Sequence, residues 1–207
     1  MHLVIWGAGG HGKVVLDVAR GAGRFQHIVF LDDNPARSGL DFCGCPVAGG
    51  PAELPRFAGA FFIVAVGHNR TRALCFRRAL ESGLVPAALV HPAAIVSPSA
   101  SIGGGTVVMP GVVINAGASI AENCIVNTGA IVEHDCAIGA HVHISPRAVL
   151  GGAVSVAAYA HVGIGATILP GAAVGEEAIV GGGAVVLESA PARRTVVGVP
   201  ARPLPDR

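Results

Sequence analysis

The chain has 207 residues, enough for one large domain or two small ones, and its formal net charge is +1. Charged residues make up only 13 % of the sequence, so it carries neither a basic nucleic-acid footprint nor an acidic tail. The five cysteines are odd in number and form no C-x-x-C pair, which indicates reduced thiols. A glycine-rich segment begins at residue 7, too early for a signal peptide, and we therefore expect a cytoplasmic protein.

The first 85 residues or so alternate between apolar strand candidates and helical segments, which predicts a small parallel α/β sheet. The strand candidates are HLVIW, HIVFLDD and FFIVAVG, and the helical segments are GHGKVVLDVARGAG and NRTRALCFRRALESG. Asn69 is the expected N-cap of the second helix. The segment CPVAGGPAELPRFAG is expected to be a loop with at most a short helix, and VPAALVHP a last strand before the domain boundary.

Gly7, Gly9 and Gly12 have the G-x-G-x-x-G spacing of a phosphate-binding loop between a strand and a helix. Taken alone, this loop favours a dinucleotide-dependent oxidoreductase. A full dinucleotide site, however, uses two mononucleotide-binding halves, and only about 90 residues precede the repeats described next. The loop therefore suits a single nucleoside diphosphate.

From residue 96 the sequence repeats every six residues, whereas side chains repeat at about 3.6 residues in a helix and about 2 in a strand. Every sixth residue from Val96 to Val186 is aliphatic, and the residue two places earlier is always Ala, Val, Thr or Cys. This pattern predicts a parallel β-helix of about five three-faced coils with the aliphatic residues inside. Glycines directly after the aliphatic position, such as Gly103 and Gly163, suit a bend that a Cβ atom would hinder.

Residues 148–175 contain no Asp, Glu, Lys or Arg and by length could be taken for a membrane span. The same stretch holds six glycines, one proline and one histidine, and it continues the six-residue repeat. We therefore expect no integral membrane segment.

Several segments together resemble hexapeptide-repeat acyltransferases, and more narrowly the bacterial nucleotide-sugar and sialic-acid acetyltransferases with an N-terminal Rossmann-like domain. They are GAGGHGKVV, FLDDN, VAVGHNRTR, LVHPAAIVSPSA, IVNTGAIVEHDCAIGAHVHISPRAVLGG and VGVPARPL. The resemblance implies a Rossmann-like nucleotide-sugar-binding domain over 1–90 and a β-helix acetyltransferase domain with a C-terminal tail over 91–207. It also implies that the β-helix is left-handed, against the general preference for right-handed crossovers.

The same resemblance implies an activity: transfer of acetyl from acetyl-CoA to the 4-amino group of a UDP-linked amino sugar in bacterial glycan biosynthesis. A GDP-linked amino sugar and a sialic acid hydroxyl are the alternative acceptors. The family's proteins are homotrimers in which each active site combines the histidine of one subunit with glycines of the next. A homotrimer without metal is therefore expected here.

His134, in the segment EHDC, is the general base that the resemblance implies. It would take a proton from the sugar amine as the amine attacks the thioester, a task that suits an imidazole with a pKa of about 6.5. Asp135 is implied to orient the ring and to stabilise the imidazolium. Glu133 competes for that role, and adjacency alone does not decide between the two.

Other residues acquire binding roles from the resemblance. Those assigned to the nucleotide sugar are Gly9, Gly10, His11, Gly12, Asp32, Asp33, Gly67, Asn69 and Asn127, and those assigned to acetyl-CoA are His143, Gly152, Ile164, Gly182 and Arg202. Gly152 is the candidate backbone donor to the oxyanion of the tetrahedral intermediate. His68 stands where relatives often have asparagine, which puts the preference for nucleotide and sugar in doubt.

Two rival hypotheses come from other classes of protein. A zinc-dependent carbonic anhydrase of the β-helix type is suggested by His134, His141, His143 and His161. That class lacks the glycine-rich domain, and the histidine spacing differs. A non-catalytic nucleotide-sugar-binding scaffold is the second rival, and the presence of EHDC and GVPA argues against it.

Overall fold

The computed structural model describes residues 1–205 as an α/β unit followed by a β-helix. The elements of the α/β unit are β1 His2–Trp6, α1 Gly10–Gly21, β2 His27–Leu31, β3 Asp41–Phe42, β4 Cys45–Pro46, β5 Phe61–Val64, α2 Asn69–Glu81 and β6 Val85–Pro86. Parallel strands form a sheet in the order β2-β1-β5-β6, as the alternating segments predict. Short 3₁₀ helices cover Pro35–Arg37 and Pro51–Phe57.

Alternate residues of β1 pack on opposite faces of this sheet, because successive strand side chains point in opposite directions. Leu3 and Ile5 join the core that includes α1, whereas Val4 and Trp6 join the core that includes α2. The sheet is thus covered by a helix on each face, the arrangement expected of a parallel α/β sheet.

Two local expectations for this unit were wrong. Asn69 is not the N-cap of α2: His68 is, and its side chain accepts a hydrogen bond from the Thr71 N–H. The segment VPAALVHP is not one strand but two, since Val85–Pro86 closes the N-terminal sheet and Leu89–Val90 opens the β-helix.

The β-helix consists of two-residue strands on three faces. Face 1 holds Leu89–Val90, Val107–Val108, Ile125–Val126, His143–Ile144, His161–Val162, Ile179–Val180, Thr195–Val197 and the antiparallel Arg202–Pro203. Face 2 holds Ile95–Val96, Val113–Ile114, Ile131–Val132, Val149–Leu150, Thr167–Ile168 and Val185–Val186, and face 3 holds Ser101–Ile102, Ser119–Ile120, Ala137–Ile138, Ser155–Val156, Ala173–Val174 and Ser189–Ala190. Paired residues such as Ile131 and Val149 lie three hexads apart, so three hexads make one coil.

The number of coils is about six, as the strands on faces 2 and 3 show, and not the five expected. The ladder extends beyond the regular hexads at both ends. Leu89–Val90 precedes them, and Ser189–Ala190 follows Val186 after a shortened corner. Of the repeating aliphatic residues, all are buried except Val96 and Ile102 in the first coil, which are half-buried.

The glycines that follow the aliphatic positions are required by close stacking. A Cβ atom on Gly163 would lie 2.5 Å from the carbonyl oxygen of Val180 in the next coil, and one on Gly103 would lie 2.6 Å from the backbone of Ala121. The expected steric reason is therefore correct in kind, but the obstacle is the neighbouring coil rather than the bend itself.

The α/β unit packs on face 1 of the β-helix. Helix α1 contacts the strands Leu89–Val90 and Val107–Val108, and the outward side chains of Val107 and Ile125 are buried. The guanidinium of Arg24 donates to the carbonyl of Ala88 across this junction. Over residues 1–205, no helix is long and apolar enough to cross a membrane.

Candidate active site

His134 and Asp135 form the corner between faces 2 and 3. Nδ1 of His134 lies 2.9 Å from Oδ2 of Asp135, and the side chain of His134 is 62 % exposed. The hydrogen bond to Asp135, and to a smaller extent the charge of that residue, raise the pKa of His134 above its ordinary value, although desolvation opposes the shift. Since Nδ1 donates to the carboxylate, the neutral ring carries its lone pair on Nε2, where a base must present it.

The structure distinguishes the two acidic neighbours of His134. Oε2 of Glu133 accepts a hydrogen bond from the amide of Asn115, so the carboxylate paired with the imidazole belongs to Asp135. Asp135 has a φ of 61°, in the left-handed region that Asp tolerates better than most residues. A Cβ atom on Gly117 in the preceding coil would lie 2.6 Å from Oδ1 of Asp135, so this glycine makes room for the carboxylate.

Gly117 was missed from the sequence, although it stands one coil before Asp135. The stacking of equivalent corner residues in successive coils is the signal that points to it.

Gly152 lies directly against the imidazole of His134. A Cβ atom on Gly152 would be 2.5 Å from Nε2 of the histidine. In the described part of the chain, the N–H of Gly152 has no hydrogen-bond partner. The corner thus brings together a paired imidazole and a free backbone donor, the two groups that acyl transfer to an amine requires.

The other residues assigned to acetyl-CoA lie elsewhere. Ile164, a residue that is 65 % exposed, and Gly182 are neighbours on the corner between faces 1 and 2. Arg202 lies on the exposed antiparallel strand at the end of face 1 and donates to the carbonyl of Ala201. The structure therefore brings Ile164 and Gly182 together but separates them from His134 by the width of face 2.

The glycine-rich loop leaves open space above the start of α1. Gly9 is the N-cap, Gly10 begins the helix, and neither position has a neighbour within 4 Å of where a Cβ atom would be. The N–H groups of the first helical turn lack partners within the helix and suit an anion. Gly12 differs, because a Cβ atom at this position would lie 2.1 Å from the carbonyl oxygen of Gly7. The absence of a side chain at Gly12 therefore allows α1 to pack closely against the end of β1.

Asp32 stabilises the glycine-rich loop through hydrogen bonds. Its carboxylate accepts hydrogen bonds from the Ala8 and Asn34 N–H groups and from Arg37. Burial would raise the pKa of Asp32, but these hydrogen bonds and the charge of Arg37 hold it below the ordinary value. Asp33 accepts one bond, from the indole N–H of Trp6, and remains exposed beside the loop.

Asn127 and His143 form a hydrogen-bonded pair on face 1. Nδ2 of Asn127 lies 3.1 Å from Nε2 of His143, and Oδ1 of Asn127 accepts from the Thr128 N–H. Nδ2 is therefore the donor, Nε2 of the histidine accepts, and Nδ1 carries the ring proton. The His143 ring also stacks on His161 with 4.7 Å between centroids.

Two buried ring nitrogens in this region have no partner among the described residues: Nδ1 of His143 and Nε2 of His11. Burial, the neighbouring His161 and the charge of Arg72 lower the pKa of His143 to about 3. Burial and Arg72 lower that of His11 to about 4. Both rings are therefore neutral near pH 7, and the structure groups His143 with residues assigned to the nucleotide sugar, away from His134.

Asn69 and Gly67 lie where α2 meets the β-helix. Asn69 is buried, and its amide nitrogen donates to the carbonyls of Tyr159 and Ala160 at 2.8 and 3.0 Å. It therefore joins the two units. Gly67 is exposed, with no neighbour within 4 Å of its Cβ position. In residues 1–205, no three His, Cys, Asp or Glu side chains converge to hold a metal ion.

Comparison with known proteins identifies the family. Residues 2–79 match the PglD N-terminal domain. A solved structure of a histidine variant of perosamine N-acetyltransferase from Caulobacter crescentus, in complex with CoA and GDP-perosamine, is 39 % identical. It covers 100 % of this chain and 98 % of its own, with a TM-score of 0.94. The acetyltransferase domain of PglB from Neisseria gonorrhoeae FA1090, in complex with acetyl coenzyme A, is 41 % identical over 98 % of both chains, with a TM-score of 0.91.

A curated relative, the UDP-N-acetylbacillosamine N-acetyltransferase of Bacillus subtilis (strain 168), is 43 % identical over 110 residues. That alignment covers 51 % of this chain and 50 % of the relative, so it spans about half the length of the curated protein. An α/β unit mounted on a β-helix with a paired histidine at a corner defines the class of hexapeptide-repeat acyltransferases. Within it, the chain belongs to the family of sugar acetyltransferases with a PglD-type N-terminal domain.

Proposed function

We propose that the protein transfers acetyl from acetyl-CoA to the 4-amino group of a UDP-linked amino sugar in bacterial glycan biosynthesis. The observation that carries this proposal is the corner where His134, paired with Asp135, lies against Gly152, whose N–H has no partner among the described residues. A GDP-linked amino sugar is the second candidate, because one of the relatives that match over their full length was solved with GDP-perosamine.

In the proposed mechanism, the amine nitrogen attacks the thioester carbonyl while Nε2 of His134 takes a proton from it. The carbonyl oxygen gains negative charge and is stabilised by the N–H of Gly152. When the intermediate collapses, the C–S bond breaks and the imidazolium returns its proton to the departing thiolate, giving CoA and the amide. General base catalysis typically contributes ~10²–10⁴-fold and one oxyanion donor about 10²–10³-fold.

The nucleotide sugar is proposed to bind at the glycine-rich loop. Its diphosphate would face the N–H groups above Gly9 and Gly10, where the structure leaves space. Asp33, exposed beside the loop, is the acidic group available for the nucleoside. The neutral rings of His11 and His143, whose unpaired nitrogens are buried, are proposed to line the site of the sugar.

We further propose that the protein acts as a homotrimer. Within one chain, His134 lies on the corner between faces 2 and 3, whereas the α/β unit covers face 1. A neighbouring copy would bring its own loop to His134 and its Ile164 and Gly182 towards acetyl-CoA. The large exposed side chains of Ile95 and Ile164 supply apolar contact area for such packing.

The test combines acetyl-CoA with a panel of UDP- and GDP-linked 4-amino sugars and sialic acid, and follows the release of free thiol. We expect release with one UDP-linked amino sugar and its loss in His134→Ala. Release with a GDP-linked sugar alone would show that the substrate carries GDP and not UDP. Release with sialic acid alone would show that the acceptor is sialic acid and not an amino sugar. Nucleotide-sugar binding without release across the panel would favour the scaffold.

A further inference from the structure

Arg72 is a fully buried cation with no carboxylate partner. Only 1 % of the residue is exposed, and none of the ion pairs in residues 1–205 includes it. Its guanidinium instead donates to five backbone carbonyls: Nε to Asn123 at 2.9 Å, Nη1 to Val66 at 3.2 Å and Gly67 at 3.1 Å, and Nη2 to His141 at 2.7 Å and Val142 at 3.3 Å.

These carbonyls belong to both halves of the molecule. Val66 and Gly67 form the loop between β5 and α2, while the other three lie in two successive coils where face 3 turns into face 1. Burying a charge without a counter-charge is costly, and here five carbonyl acceptors offset that cost, whereas an apolar side chain would leave those carbonyls without this donor. The planar set of donors therefore suits this position, because it holds carbonyls of both units in one fixed arrangement.

The loop that Arg72 holds lies beside His143 on face 1. Gly67, whose carbonyl accepts from Nη1, also has its backbone beside the ring of His143. The carbonyl of Val142, the residue just before His143, accepts from Nη2. The side chain of Arg72 thus holds the backbone of the loop at Gly67 and the backbone of the β-helix at Val142, next to His143.

We propose that Arg72 is a positioning residue that fixes Gly67 and His143 relative to each other, so that a nucleotide sugar meets both in a single geometry. This inference rests on the proposed function. The ionisable groups that face His143 are His161, Arg72 and His11, and together with burial they lower its pKa. The same cation lowers the pKa of His11 and of His161, in each case after burial. All three rings therefore keep one donor and one acceptor nitrogen.

The experiment compares Arg72→Lys and Arg72→Met with Arg70→Met as the matched control. Arg70 lies on the same helix and joins it to the same corner of the β-helix through Glu177, but its side chain is 65 % exposed. We expect KM for the nucleotide sugar to rise roughly tenfold in both Arg72 variants, a change that corresponds to about 1.4 kcal/mol. KM for acetyl-CoA and kcat should stay within about threefold, because His134 and Gly152 lie on another corner. The control should match the wild type.

A purely structural role predicts a different result. It would lower Tm in the Arg72 variants while KM for the nucleotide sugar, measured well below Tm, stayed at the wild-type value, and that outcome would overturn the proposal. If Arg72→Met does not fold, Arg72→Lys decides, since it keeps the charge but not the planar set of five donors.

Histidine titration by NMR separates this proposal from the proposed function, because it needs no turnover. In the wild type, His11 and His143 should stay neutral from pH 5 to 8, and in Arg72→Met their pKa values should move upward. Unchanged titration would count against the positioning role even if acetyl transfer is demonstrated. Conversely, a protein that shows this shift but transfers no acetyl group would refute only the proposed function.

Discussion

His134 and Asp135 form an exposed pair whose strength should be visible in the pH dependence of the reaction. A general base works in its neutral form, so the rate falls as the pH drops through the pKa of His134, which the Asp135 hydrogen bond raises. In Asp135→Asn that pKa returns towards its ordinary value. We therefore expect the acidic limb of kcat/KM to move to lower pH, with kcat itself reduced because the ring is less well oriented.

Glu133→Gln is the matched control for this change. Its carboxylate is engaged by Asn115, and its charge is a minor cause of the raised pKa. The limb should move much less in this variant. A limb that moved equally in both variants would show that the orienting carboxylate is not specifically Asp135.

Gly152 tolerates no side chain while His134 keeps its place. The Cβ atom of Gly152→Ala would lie 2.5 Å from Nε2 of His134, so the ring must move away from the position where it meets the amine. Because small displacements of a reacting group are costly, we expect kcat to fall about 10²-fold or more. Thermal unfolding should stay close to wild type, since the ring is exposed and free to swing outward. A normal kcat would contradict the proposal that the reaction needs the imidazole of His134 in its present position against Gly152.

On the scale of one coil, stability depends on glycines at which the backbones of neighbouring coils lie too close together for a side chain to fit. Gly163→Ala places a Cβ atom 2.5 Å from the carbonyl oxygen of Val180, and we expect a loss of about 1–3 kcal/mol in the free energy of unfolding. Gly165→Asn, two residues later in the same corner, is the control. Nothing lies within 4 Å of that Cβ position, and Asn123 adopts a similar left-handed φ at another corner. Denaturant unfolding of both variants tests the difference, and equal losses would contradict it.

The sequence predicts the coils well because each hexad supplies one strand of a face and the corner that follows it. It predicts the number of coils less well, since the shortened corner after Val186 breaks the period while the hydrogen-bonded ladder continues. The N-cap of α2 was misplaced because both His68 and Asn69 precede the helical pattern, and only the fold shows that Asn69 turns towards the β-helix.

In the candidate site too, local features can be predicted from the sequence, whereas features that depend on distant residues cannot. The motif around His134 is local, so its corner position and its acidic neighbours follow from the sequence. The choice of Asp135 over Glu133 depends on Asn115, one coil away, and the grouping of His143 with Asn127 depends on strand pairing along face 1. Arg72 was invisible as an anchor because its partners are backbone carbonyls, which leave no trace in residue identity.

Over the whole molecule, the groups proposed for one reaction lie on different sides of the β-helix. The histidine corner lies between faces 2 and 3, and the α/β unit with His11 packs on face 1. The proposed ring of identical subunits would resolve this separation, because each copy would present one part to its neighbour on one side and the other part to its neighbour on the other side.

Mixed oligomers test whether each site is shared between chains. His134→Ala lacks the base and His11→Ala lacks a proposed sugar contact, so each variant alone should be nearly inactive. When the two are co-expressed, a site works where an intact corner from one chain meets an intact loop from the next. In a random equal mixture this occurs at one site in four, so we expect about a quarter of the wild-type rate.

The control pairs His134→Ala with Gly152→Ala. The contact between these two residues lies within one chain, so neither variant supplies an intact corner and co-expression should restore nothing. Recovery with His11→Ala but not with Gly152→Ala would show that base and loop come from different subunits. Absence of recovery in a preparation that light scattering shows to be trimeric would place both in the same chain, and a monomeric preparation with full wild-type activity would exclude the shared site altogether. The loop and the base would then have to meet through a movement of the α/β unit over face 1, against the carbonyl contacts of Arg72 and Asn69 that hold it there.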